Sequence, residues 1–407
     1  MKNRFFPTSL ILLIPAFAAA DASLPSNAGP EDFVAYALEH NAALAAAGAR
    51  AEAGRERVPQ ARALPDPDLM YSYYIQRMDV RQSIGVRQSF PFPGTLPRRA
   101  AVAESEAEVR AMDTASLRRN LADEILRTYA DLAYIDATLR VLGENVAVLE
   151  RIERSVEARI EAGDGSGAAL IRAEVARARL EDERAALEAR IPALRARMNR
   201  FLGRDSHEPL PSLMPLEAAV AETNARNGNS SGRLAAHPDL EGLERAIEGR
   251  RHAAELARRE GRPGFALGAE WMDTVSGKRE EVMVTLGLSL PIWRERYRAG
   301  EREARAERRA LEAERRDRHH LLEAELREAA DLHDDALRRA SLYGERLLPR
   351  GRQALEAEEA AYAGGRGDLL GVLDAQRVLL ELEQARDAAL ADVLRARATL
   401  RRLLGDS

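Results

Sequence analysis

The chain contains no cysteine, which removes disulfides, thiol catalysis, thiolate metal sites and any lipid anchor on an N-terminal cysteine. Chemistry must then come from its seven histidines, its 66 acidic residues or its methionines. His319 and His320 are adjacent, and neighbouring side chains on a helix point about 100° apart, so the pair alone does not share an ion as residues four apart can. His333-Asp334-Asp335 has the same defect. Met70, Met78, Met272 and Met283 offer soft thioethers suited to copper(I), although scattered Met also serves simply as packing. There is no phosphate-cradling glycine loop, no His-Glu-x-x-His helix and no Gly-x-Ser-x-Gly elbow. The expectation is a protein that is not an enzyme, with no cofactor and no dedicated metal site.

A different pattern stands at 362–377, YAGGRGDLLGVLDAQR, where Tyr362, Arg366, Asp368 and Asp374 gather around Gly364, Gly365 and Gly367. The glycines break one helical segment and release another, so this is the tip of a helical hairpin. If several copies bring Asp374 to one narrow mouth, the ring of carboxylates attracts cations in a partly desolvated constriction. On an outward face the same residue is simply solvated. An earlier stretch, Ala162, Gly163, Gly165 and Gly167, has the same composition and would form a second tip.

Long helices must carry these tips. Leu132, Ile135, Leu139, Leu142, Val146 and Leu149 alternate three and four residues apart, and no proline interrupts the chain from Arg98 to Gly163. Continuous helix there would reach on the order of 90–100 Å. Leu180, Leu187, Leu194 and Phe201 recur at sevens on the return, with Pro192 predicting a kink. The helix leaving the second tip carries a similar seam through Leu379, Leu382, Ala389, Val393, Ala396, Leu400 and Leu403. Charged residues at 31% and aromatics at 5% suit such narrow seams better than a thick core. The net charge of -5 gives no reason to expect a nucleic-acid partner.

Between the helices lie runs rich in aromatic and β-branched residues, at about 69–75 and 82–90 and again at about 264–271 and 281–290. The plan is therefore duplicated: a first repeat at 30–203 with its helical hairpin at about 98–201, a linker at 204–233, and a second repeat at 234–405 with its hairpin at about 299–404. Phe90-Pro91 is answered by Leu290-Pro291, Glu174 by Asp374, and Phe201-Leu202-Gly203 by Leu403-Leu404-Gly405. Residues 1–20 combine Lys2 and Arg4, an apolar stretch and a small-residue ending, the layout of a cleaved signal peptide. Four strands cannot span a bilayer alone, because an open sheet leaves its edge groups unpaired in lipid. Three protomers giving four each would close a twelve-stranded wall. The alternative is a soluble sheet packed on helices; Tyr71, Tyr73, Tyr74 and Trp271 near strand ends resemble an interfacial girdle and favour the membrane wall.

With the tip at 362–377, RQSFPFPG at 87–94, LPDPDL at 64–69 and the duplicated plan, the mature chain from about Pro30 to Gly405 resembles the TolC-type outer-membrane efflux proteins. It is closest in style to members that work beside heavy-metal pumps. The resemblance implies a homotrimer whose β-barrel lies in the outer membrane and continues as a helical barrel across the periplasm. The tips (Ala162, Gly163, Gly165, Gly364, Gly365) would dock a periplasmic adaptor coupled to an inner-membrane pump of the RND type. It implies a closed entrance involving Tyr362 and Asp374. The family's other entrance carboxylate falls on Gly371 and its constricting arginine on Gly367, leaving Arg366 and Asp368 as stand-ins. Alternatives are the same channel in drug, small-molecule or type I protein export, and a periplasmic coiled-coil scaffold or adaptor.

Overall fold

A computed structural model of the chain describes residues 24–75, 80–161, 163, 166–224, 234–274 and 281–405. The signal-peptide reading for 1–20 and the residues Ala162 and Gly165 lie outside them. The protein is mainly α-helical with one small antiparallel sheet, as expected. Helices α1 (Pro30–His40), α2 (Ala42–Arg55) and α3 (Arg57–Arg62) precede strands β1 (Asp68–Tyr73) and β2 (Val80–Phe90). There follow α4 (Thr95–Glu161), α5 (Gly167–Glu188), α6 (Ile191–Leu202) and α7 (Leu216–Asn224). The order then recurs as α8 (Pro238–Glu260), β3 (Gly264–Thr274), β4 (Glu281–Ser289), α9 (Arg294–Ser341), α10 (Leu348–Ala363) and α11 (Leu369–Leu404).

Local chemistry sets these boundaries. Pro30 opens α1, and the Asp32 carboxylate accepts from the Gly29 N–H at 2.8 Å. Asn41 caps α2 by accepting from Leu44 N–H, while its amide donates to the Phe201 carbonyl at 2.8 Å, tying the chain start to the end of the first hairpin. That hairpin ends at Gly203, with φ of 71°, where Arg204 N–H donates to Asn199 O and a Cβ would fall 2.6 Å from His40 O. Pro192 does more than kink the return helix. It has no N–H to offer residue 188, so α5 stops at Glu188 and α6 restarts at Ile191. In the second hairpin the outgoing helix widens into a six-residue π-helical segment, Leu342–Leu347, just before Pro349, which likewise lacks the donor for residue 345.

The seams are where the heptads place them: Leu132, Ile135, Leu142 and Leu149 of α4 are buried, as are Leu379, Ala389, Val393, Ala396 and Leu403 of α11. The thickest core surrounds Tyr129, whose hydroxyl donates to Ala28 O and Met214 O and whose ring meets Phe33 edge-on at 5.6 Å. Within the connecting segment, α7 adds Leu216, Ala219 and Val220 to this core.

The strands form one sheet in the order β1-β2-β3-β4, antiparallel throughout. The central pair, β2 with β3, joins the two halves of the chain, Phe90 opposite Phe265 and Ile84 opposite Trp271. β1 and β4 are the edges. The first ladder closes at Tyr73 opposite Gln82, two residues before the expected end, and Ile75 beyond it is 93% exposed.

Candidate functional site

Strand residues alternate between faces, so the register decides what each face presents. One face carries Leu69, Tyr71 and Tyr73, then Ile84 and Val86, then Phe265, Leu267 and Trp271, then Val282, Val284, Leu286 and Leu288. All four of those β4 residues are 64–77% exposed. The other face holds Ser72, Ser83, Gly85, Arg87, Gly268, Glu270, Thr285 and Gly287, with Arg87 ion-paired to Asp68 at 3.2 Å. Gln82 and Asp273 near one end of the first face and Gln88 near the other leave it apolar in between, and a thin sheet with such a face, one more polar face and two unpaired edges is unstable in water but suits a wall between lipid and an aqueous lumen. β2 and β3 have 11 residues each and β4 has 9, lengths that cross a hydrocarbon layer when tilted. Among the described residues, no helix is long and apolar enough to cross a membrane.

The second tip is closed by a Schellman turn: Arg366 N–H donates to Ala361 O at 2.9 Å, Gly365 N–H donates to Tyr362 O at 3.1 Å, and Gly365 has φ of 68°. Gly367 packs its α-carbon against Ala361, where a Cβ would come within 3.1 Å. Asp368 caps α11, accepting from Gly371 N–H at 2.9 Å, so this carboxylate serves the fold first. Gly364, Gly365 and Arg366 are exposed. At the first tip, Gly163 has φ of 81° and donates to Ile160 O, the same kind of helix end.

The two tips pack on each other. Tyr362 lies half-buried against a cluster of Val156, Ala173 and Leu369, and the Arg159 guanidinium sits 4.7 Å from its ring centroid. Two turns along α11 from Leu369, buried Gln376 donates to the Asn145 side chain at 2.7 Å, tying α11 to α4. Tyr362 is thus held by its own chain. Asp374 is exposed and pairs with Arg377 at 2.7 Å, with Arg377 also reaching Glu381. The structure therefore groups Tyr362, Arg366 and Asp368 at the tip and leaves Asp374 exposed farther along α11, paired with Arg377.

Sequence reading missed Glu358. Its carboxylate fills the space above Gly371, where a Cβ would stand 2.5 Å from Oε2, so a carboxylate occupies the neighbourhood that position 371 leaves empty. No spacing rule signals it, because Glu358 and Gly371 meet only across the turn. Farther up α11, Asp387 is buried with one oxygen lacking a partner, and burial pushes its carboxyl up to about 6 against the pull of Arg386.

Glu323 joins the two histidines. One turn beyond the pair on α9, its Oε2 lies 3.4 Å from His319 Nδ1 and 3.5 Å from His320 Nδ1, and one donor atom from each of the three residues falls within 4.8 Å of the others. Among the described residues it is the one group of three His, Asp or Glu side chains whose ligand atoms lie close enough to hold an ion. His320 and Glu323 are exposed, and His319 is half-buried.

The sequence model of the outer membrane efflux protein family matches residues 34–202 and 230–406. No curated protein matches the chain closely enough to count as a relative. Among solved structures, the outer-membrane channel OprN is 20% identical with a TM-score of 0.77, covering 93% of this chain and 90% of that one. The outer membrane protein VceC from Vibrio cholerae is 17% identical with a TM-score of 0.77, covering 93% and 96%. CusC, solved in relation to folding and transmembrane channel formation, is 18% identical with a TM-score of 0.80, covering 95% and 96%. At these identities the likeness speaks for the fold.

Proposed function

The chain belongs to the outer membrane efflux protein family, and from that premise we propose that three copies form the passive exit duct of a tripartite pump carrying heavy-metal cations out of the cell. The observation that supports the duct most is the sheet with its lipid-suited face and its open β1 and β4 edges. Pairing β4 of one copy with β1 of the next satisfies both edges, and three such joins close twelve strands. The helices then extend into the periplasm, with residues 1–20 serving as the export signal and the units 30–203 and 234–405 as duplicated repeats.

The tips would form the periplasmic mouth. Gly163, Gly364 and Gly365 leave the turns narrow enough for the helices of an adaptor to approach closely, and Ala162 and Gly165 are proposed to belong to the same docking surface. The adaptor would couple to an inner-membrane pump of the RND type. Tyr362 and Asp374 would line the entrance, with Glu358 supplying the carboxylate that Gly371 lacks and Arg366 offsetting the charge. The metal assignment rests on the resemblance of LPDPDL and RQSFPFPG, at 64–69 and 87–94, to metal-pump members.

Heat-resistant trimers in outer-membrane fractions are the expected form, and a soluble periplasmic monomer would end the channel reading. A deletion strain should lose tolerance to some of zinc, cobalt, cadmium, copper or silver. Unchanged metal tolerance with raised drug sensitivity would transfer the channel to drug export.

A further inference from the structure

The methionines among the described residues divide into two groups. Met198 is fully buried, Met214 packs against the same core, and Met112 abuts Gly242 of α8, so packing accounts for these three. Met70, Met272 and Met283 do something else. The register puts all three on the polar face of the sheet, and Met70 and Met283 are 40% and 43% exposed there, where they have no core to fill.

Their neighbours on that face are carboxylates. Met283 stands directly opposite Glu270, and Met272 directly opposite Glu281, so β3 and β4 present a two-by-two block in which thioether and carboxylate alternate. Directly opposed residues lie about 5 Å apart, and diagonal ones remain within reach of long side chains. Met70 completes the row on the far side of Gly85, which faces both Met70 and Glu270 across the ladders. Gly85 has no side chain to intervene, and Glu270 Cγ lies only 3.3 Å from where a Cβ at 85 would be, so its stem leans over Gly85. Among the described residues, neither Glu270 nor Glu281 has a salt-bridge partner, whereas Asp68 in the next row is neutralised by Arg87.

We propose that this block on the polar face, Met70, Met272 and Met283 with Glu270 and Glu281, is a transit site for a soft monovalent cation such as copper(I) or silver(I). The carboxylates supply attraction for any cation, and the thioethers supply the preference, since sulfur favours soft ions over sodium, magnesium or zinc. With no cysteine in the chain, methionine thioethers are the sulfur ligands it can offer, and these three lie together on this face. The inference rests on the duct reading only in making this face the lumen, where threefold repetition would ring the bore with the same groups.

The test is silver binding to the purified protein in detergent, followed by calorimetry in nitrate buffer. Met70→Leu/Met272→Leu/Met283→Leu should weaken silver binding at least tenfold, and Glu270→Gln/Glu281→Gln several-fold, more so at low ionic strength. His319→Ala/His320→Ala should leave this silver affinity unchanged. Equal affinity within twofold in the methionine variant, or loss of the signal in the histidine variant instead, would overturn the proposal. Conductance of each variant in potassium nitrate across a planar bilayer checks the fold and the channel separately. A wild-type protein that forms no pore would overturn the duct while the silver titration still decides the site.

Discussion

Asp387 shows how one residue makes stability depend on pH. Burial among α4, α7 and α11 favours its neutral form, with Arg386 and Arg140 opposing and Glu217 and Glu383 reinforcing, and its carboxyl is pushed from 3.8 to about 6. Between about pH 4 and pH 6 the folded chain therefore holds a proton that the unfolded chain has released. Stability falls as pH rises through that window and stays lower above it. Asp387→Asn should raise the thermal midpoint at pH 7.5, by at most roughly 2–3 kcal/mol of stability, and change little at pH 4. Melting curves of the two proteins at both values decide this. At the entrance, Asp374→Ala should reduce the cation preference of the opened channel, and adding Glu358→Ala should reduce it further, read as a smaller reversal potential in a salt gradient. An unshifted reversal potential in the double variant would place both carboxylates outside the ion path.

At the scale of elements, two glycines with positive φ separate conformational strain from close packing. Nothing lies within 4 Å of a Cβ at Gly365, so Gly365→Ala should cost about 1 kcal/mol for the left-handed backbone alone. At Gly203 the same methyl would also meet His40 O at 2.6 Å, so Gly203→Ala should cost clearly more in denaturant midpoint. The long helices and both tips were legible in the sequence because a three-four seam and clustered glycines are local signals. Leu132 to Leu149 and the YAGGRGD turn needed no partner to be read. The π-helical segment before Pro349 was not legible, since the widening answers a missing donor four residues away and leaves no periodic trace. Nor was Glu358 over Gly371, because it depends on how a side chain crosses the hairpin turn; Glu323, four residues after His319 on one helix, was within reach of a spacing rule.

For the whole molecule, the register assigns each strand residue a medium. Leu286 faces the apolar side and Thr285 the polar side. Leu286→Arg should cost about 2–4 kcal/mol near the bilayer midplane and deplete outer-membrane trimers, whereas Thr285→Arg should assemble and alter conductance. Equal trimer yields would mean that the apolar face does not meet lipid. The sequence carried the existence of four strands but not their order, because the β2–β3 ladder pairs residues from opposite halves of the chain and no local pattern records such a partner.

That ladder also sets a timetable. Until the second half of the chain is in place, β2 has only β1 beside it, and its other edge is uncovered. A two-stranded ribbon is marginal in water, and contacts so remote in sequence form late. The sheet therefore cannot be completed until the second half is present, and each half on its own would be a protein with an adhesive edge. Chaperoning of that edge, rather than helix formation, is where biogenesis of this protein would be slowest and most easily derailed.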